Sequence, residues 1–101
     1  MNQVGTFGDR PLHLASYHGD MEAIEALVEG GADINATGEM GSTPLHNAIE
    51  ARHAAAVKFL LERGARTDIR NEFGWTAIDV ADLHWHADVI ALLKDWNKQG
   101  S

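Results

Sequence analysis

The 101-residue chain contains no cysteine and only two prolines. Without thiols there is neither a disulfide framework nor a thiolate metal site, a composition that suits a reducing, cytoplasmic setting. No apolar run approaches the roughly 20 residues a membrane helix requires, so no membrane span is expected. The opening "MNQVGTFGDR" lacks a basic flank followed by an apolar stretch, and no signal peptide is expected there. Basic residues are few: eight Lys and Arg stand against fifteen Asp and Glu, for a net charge of −7. Nucleic-acid backbones attract clustered cations, and scattered ones in an acidic chain argue against such a partner. The acidic balance fits a cationic partner, but it fits plain solubility more readily. No glycine loop could cradle phosphate, no nucleophile elbow is present, and the carboxylates form no defensible acid/base pair. Neither enzymatic activity nor a cofactor is expected.

What is present is one phrase written three times. "GDRPLHLASYH", "GSTPLHNAIEA" and "GWTAIDVADLH" start at the evenly spaced Gly8, Gly41 and Gly74. Shifted by that interval, Leu12, Leu45 and Ile78 fall into register, as do Ala15, Ala48 and Ala81. Ile24, Val57 and Ile90 follow, then Leu27, Leu60 and Leu93. A period of about 33 residues lies within the range of roughly 20–50 that marks an architecture of stacked units. Each unit begins with a glycine turn and then offers residues suited to a helix start, threonine for the N-cap and proline for the first turn. In the middle copy this predicts a short helix over Pro44–Glu50 and a second near Ala54–Arg63, with Val57, Leu60 and Leu61 on one face and Gly64 as the stop. Neither helix can bury both its faces alone, so the units must stack. The expectation is one domain over 1–101, with units at about 8–40, 41–73 and 74–97 and a frayed tail at 98–101. Asp82 and Lys94 stand where the middle copy has Ile49 and Leu61, which predicts a polar outer cap. Trp96 is expected to fold back over the last helix.

The phrases "TPLH", "GADINA" and "RGARTDIR", held in that register, resemble the ankyrin repeat over nearly the whole chain, from about Gly8 to Trp96. The resemblance implies an all-α ankyrin-repeat solenoid: three stacked helix-turn-helix units with projecting β-hairpin loops, and a concave face made by fingertips and first helices. It implies that His13 and His46, inside "PLH", hydrogen-bond the backbone of their own and adjacent turns. Asn35 would brace its hairpin by side-chain bonds to the backbone. Two positions depart from the pattern. The family places glycine after the first helix, as at Gly19, where Arg52 and Trp85 stand in the later copies. A bulky residue in the left-handed conformation costs about 1–2 kcal/mol. Arg10 replaces the threonine cap in the first copy and "TAID" replaces "TPLH" in the third, so both end units should be looser.

By the same resemblance, partner contacts come from the fingertips and the ends of the first helices. These positions hold Phe7, Asp9, Tyr17 and His18 in the first copy. The middle copy supplies Glu39, Met40, Ser42 and Glu50 with Ala51, and the last supplies Glu72, Phe73, Trp75, Leu83 and His84. Phe7, Met40 and Phe73 recur at the repeat interval and should form an apolar row with Trp75 beside it; acids around the row would steer a basic partner. An alternative keeps Phe7, Met40 and Phe73 packed under their own hairpins. The expected role is a non-catalytic protein-binding module, monomeric and without nucleic-acid or membrane partners. A narrower reading is an immunity-type antidote to a basic toxin or enzyme; separate alternatives are a self-associating scaffold unit and a metal site at Asp82, His84, His86 and Asp88. The last suffers because those four residues straddle a turn between helices and lack the usual zinc spacings.

Overall fold

The computed structural model describes the backbone of residues 11–100 and the side chains of residues 11–96. Among the described residues six α-helices follow one another: α1 over 11–18, α2 Met21–Glu29, α3 Pro44–Glu50, α4 Ala54–Glu62, α5 Ala77–Leu83 and α6 Ala87–Gly100. The starts of α2, α4 and α6 are evenly spaced along the chain, and the step from α3 to α5 is the same. Each unit is thus an antiparallel pair of a short and a longer helix. Within units α3 packs on α4 and α5 on α6; between units α3 packs on α5, α2 on α4 and α4 on α6.

Capping chemistry sets the short helices. Thr43 is the N-cap of α3, with Pro44 in the first turn, and its Oγ1 accepts the His46 amide at 3.2 Å while its own amide donates to His46 Nδ1 at 3.1 Å. In α5 the same reciprocal box uses a carboxylate: the Thr76 amide donates to Asp79 Oδ2 at 2.9 Å. The longer helices end in the bonding pattern of a left-handed residue just past the cap. At α4, Arg63 is the C-cap, Gly64 takes φ 94, and the Ala65 amide reaches Leu60 O at 3.0 Å. Gly30, Gly31 and Ala32 repeat this at the end of α2.

Burial follows position in the stack. In the middle unit Leu45, Ala48, Val57 and Leu60 are all essentially inaccessible, because a neighbour covers each side. Of their counterparts in the units on either side, Leu27, Ile78 and Ile90 are only partly buried against the same core, while Leu12, Ile24, Ala81 and Leu93 are as closed off as the middle unit. Asp82 and Lys94 are exposed where Ile49 and Leu61 are buried, so the last unit turns a polar surface outward. One expectation needs correction. Trp96 does not fold back as a separate flap: it lies within α6, one turn past the buried Leu93, and packs partly buried on the core. The same helix runs on to Gly100 and takes in residues 98–100, because nothing between Trp96 and Gly100 breaks a helix.

No strand occurs among the described residues. The fingers between units are tight turns. In the first, the Gly38 amide donates to Ser42 O at 2.8 Å and Gly41 to Gly38 O at 3.0 Å. In the second, Asn71 donates to Trp75 O at 3.0 Å and Gly74 to Asn71 O at 2.9 Å. The Glu72 amide then bonds Met40 O at 2.9 Å and ties one finger to the next.

The turn after each short helix keeps the left-handed residue that the family pattern asks of glycine: Gly19 at φ 69, Arg52 at φ 61 and Trp85 at φ 57. Gly19 has a second constraint, since a Cβ there would meet the His53 ring at 2.6 Å. Trp85 is 87% exposed, so little packing offsets its strain. Arg52 at least makes a solvent-exposed ion pair with Asp88 at 3.2 Å, a contact that water and salt screen. Glycine at either place would relieve about 1–2 kcal/mol while adding about 0.5–1 kcal/mol of unfolded-state entropy. Urea unfolding should therefore find Trp85→Gly more stable than wild type by a fraction of a kcal/mol, with Arg52→Gly near neutral. A lower midpoint for Trp85→Gly would show that the indole has a stabilising contact.

Candidate functional site

The fingers and the short helices enclose a groove of about 330 Å³. Its wall on the helix side comes from α1, α3 and α5, which present Leu14, Asn47 and Val80 and, one turn on, Tyr17 and Glu50, with His84 at the C-cap of α5. The fingers supply Glu39, Met40 and Ser42 from the first turn and Asn71, Phe73 and Trp75 from the second. His13 and His46 form part of the floor.

Those two histidines join the units. His13 Nε2 bonds Ala36 O at 2.9 Å and Ser42 O at 3.1 Å, and His46 Nε2 bonds Trp75 O at 2.9 Å. Ser42 and Trp75 are equivalent positions, so each imidazole reaches across to the finger that follows it. For His46 the tautomer is determined: Nδ1 accepts the Thr43 amide, so Nε2 carries the hydrogen donated to Trp75 O. The fingertips are held as firmly. Asn71 Oδ1 accepts from the amides of Phe73 (2.9 Å) and Trp75 (3.1 Å). Above this turn the Phe73 and Trp75 rings stack, centroids 4.9 Å apart and planes 26° from parallel.

Of the residues singled out in the sequence, the groove brings together Tyr17, Glu39, Met40, Ser42, Glu50, Phe73, Trp75 and His84. His18, Glu72 and Leu83 are exposed but do not line it. Phe7 and Asp9 lie outside the described residues, as does Arg10. Met40 and Phe73 are 54% and 55% exposed, so neither is packed away beneath its finger. Trp75 is partly buried and rests against the core while bordering the groove. The equivalent positions Leu14, Asn47 and Val80 were missed. Their signal was available, because each lies one helical turn before an expected contact on the same helix face. Asn35 also acts differently from the reading: its Oδ1 accepts the Arg66 amide of the next unit at 2.8 Å, a brace between loops rather than within one.

The family model described as ankyrin repeats, three copies, matches residues 12–100. The chain belongs to the ankyrin-repeat family. No curated protein matches it. Ankyrin repeats are generally protein–protein interaction modules and typically non-catalytic. No helix among the described residues is long and apolar enough to cross a membrane.

Within this ankyrin-repeat frame the residues of the metal reading do not converge. His86 Nε2 contacts Glu50 O at 3.2 Å, Asp88 pairs with Arg52, and the His84 and His86 rings stack 5.5 Å apart. Among the described residues no three His, Asp or Glu side chains are grouped to hold a metal ion. Charge around the groove is one-sided. Glu39 and Glu50 line it and no described Lys or Arg does. Arg52, Arg63 and Arg66 pair instead with Asp88, Glu29 and Asp68, none of which borders the groove.

Burial holds the His46 pKa below its ordinary value of 6.5, against the opposing pull of the Trp75 carbonyl bond and the Glu50 charge. As pH falls below 6.5 the unfolded chain therefore takes up this proton before the folded one, and stability is lost as the solution acidifies. A proton on Nδ1 would also face the Thr43 amide and break the cap. Thermal melts between pH 7 and 5 should show a loss of up to about 1.4 kcal/mol per pH unit from this group. His46→Gln keeps a capping-box residue without a titrating ring; it should cost about 1 kcal/mol at pH 7 and flatten the profile. Equal slopes in the two proteins would assign the acid sensitivity elsewhere.

Proposed function

We propose that this ankyrin-repeat chain is a monomeric binding module that seats a basic segment of a partner protein in the groove between its fingers and short helices. The observation that carries the reading is the groove's lining. Aromatic and aliphatic side chains, Tyr17, Leu14, Met40, Phe73 and Trp75, border it together with two carboxylates. Large apolar side chains on projecting turns are unfavourable to leave wet, and such patches mark interfaces. Tyrosine and tryptophan are favoured anchors because they bury much area at little entropic loss. The net charge of −7 and the acids at the groove would speed the approach of a cationic partner and would do so less at high salt.

Rigidity supports the same reading. The fingertip bonds to Asn71, the Glu72–Met40 link and the two histidine bridges fix the groove walls before any partner arrives, so less ordering entropy opposes binding. Affinity capture from native lysate with wild-type, Tyr17→Ala and Trp75→Ala baits tests the proposal, folding being checked by circular dichroism. A partner should be retained by wild type and lost from both variants, each anchor contributing about 2 kcal/mol, roughly thirtyfold in affinity. Tyr17 is exposed, so its loss cannot be ascribed to a collapsed core. Partners that bind both variants undiminished would place the interface elsewhere.

A further inference from the structure

We propose that the stacked Phe73–Trp75 pair is a seat for an arginine side chain of the segment that enters the groove, with Glu50 as its counter-charge. This rests on the binding reading above and names the chemistry it selects.

Three observations carry it. The two rings lie nearly parallel at 4.9 Å and both border the groove, and Phe73 remains 55% exposed, so aromatic surface stays open to an incoming group. A guanidinium is planar and weakly hydrated, and it stacks on aromatic faces more readily than an ammonium does. The charge environment matches. Glu50 lines the same groove, makes no salt bridge among the described residues, and no described cation lines that groove to compete with an incoming one. Finally, the chain already makes this contact internally: the Arg63 guanidinium lies over the Phe59 ring at 4.8 Å, away from the groove. The pair is also pre-positioned. Asn71 Oδ1 holds the amides of both aromatic residues, so the platform need not be assembled on binding.

The test is a nuclear magnetic resonance titration of the full chain with three capped tetrapeptides, of arginine, of lysine and of citrulline. Citrulline keeps the shape of arginine without its charge. The Trp75 indole signal is assigned by its absence in Trp75→Phe. Tetra-arginine should shift that signal saturably, and its own side-chain methylene protons should move upfield from ring current. Tetralysine should bind about threefold or more weakly, and tetracitrulline should not saturate. Phe73→Leu keeps an apolar side chain without the ring, and Glu50→Gln keeps the shape without the charge; each should weaken tetra-arginine by about threefold.

The seat is wrong if tetra-arginine leaves the Trp75 signal unmoved, if citrulline binds as well as arginine, or if Phe73→Leu changes nothing. The two proposals fail separately. Partner capture that depends on Tyr17 and Trp75, alongside an inert tetra-arginine titration, removes the arginine seat and keeps the binding module. Capture indifferent to both variants, alongside a saturable Trp75 shift, removes the module and keeps the seat.

Discussion

Everything in this molecule depends on one constraint: a pair of short helices exposes two apolar faces and can cover neither by itself. Seven or nine residues bury too little surface to hold a helix in isolation, so each unit is stable only against its neighbour. The middle unit shows what the constraint produces when it is met on both sides, with Leu45, Ala48, Val57 and Leu60 out of contact with water. In the units on either side Leu27, Ile78 and Ile90 remain partly exposed, although Leu12, Ile24, Ala81 and Leu93 are as buried as the middle unit's residues. In the third unit Asp82 and Lys94 stand, exposed, where the middle unit has the buried Ile49 and Leu61.

Apolar contact alone would let units slide, because it has no direction. Register comes from hydrogen bonds made across the joint. His46 donates to Trp75 O and His13 reaches Ala36 O and Ser42 O, while Asn35 accepts from the Arg66 amide. The two histidines occupy buried places, where leaving a partner group unbonded costs about 1–3 kcal/mol. The same bonds that set register also orient the fingers, since Ser42 and Trp75 are finger residues. Stability and site geometry are therefore one set of contacts.

This explains how much could be read from the chain before its structure. The helices were legible because their signals are local: Thr43 and Pro44 start one, Gly64 ends another, and the repeat register states the message again. The left-handed turns at Arg52 and Trp85 were legible as departures, and they adopt the strained conformation rather than a rebuilt loop. The groove was legible only in part. Tyr17, Glu50, Phe73 and Trp75 could be expected at it from their repeat positions, yet Leu14, Asn47 and Val80 were overlooked. What the chain could not announce was which groups the turns bring into contact. The Phe73–Trp75 stack, the Asn71 clamp beneath it and the reach of Asn35 into the next unit all depend on turn geometry, which a linear pattern does not carry. Trp96 was misplaced for the opposite reason: a helix that meets no breaker simply continues.

The division of labour between the two faces follows from the same set of contacts. Arg52 pairs with Asp88 and Arg63 with Glu29 outside the groove, while Arg70 is held on the Gly74 carbonyl of the second finger at 2.8 Å. The groove keeps carboxylates and aromatic rings on backbone already fixed by the stack. Substituting a side chain there, Met40 or Phe73 for example, changes the surface more than the core, since both are more than half exposed. A residue such as His46 has no such freedom, because its ring caps α3 and anchors the next finger at once. The stack thus separates positions that must stay from positions that can vary, and it places the variable ones side by side along the groove.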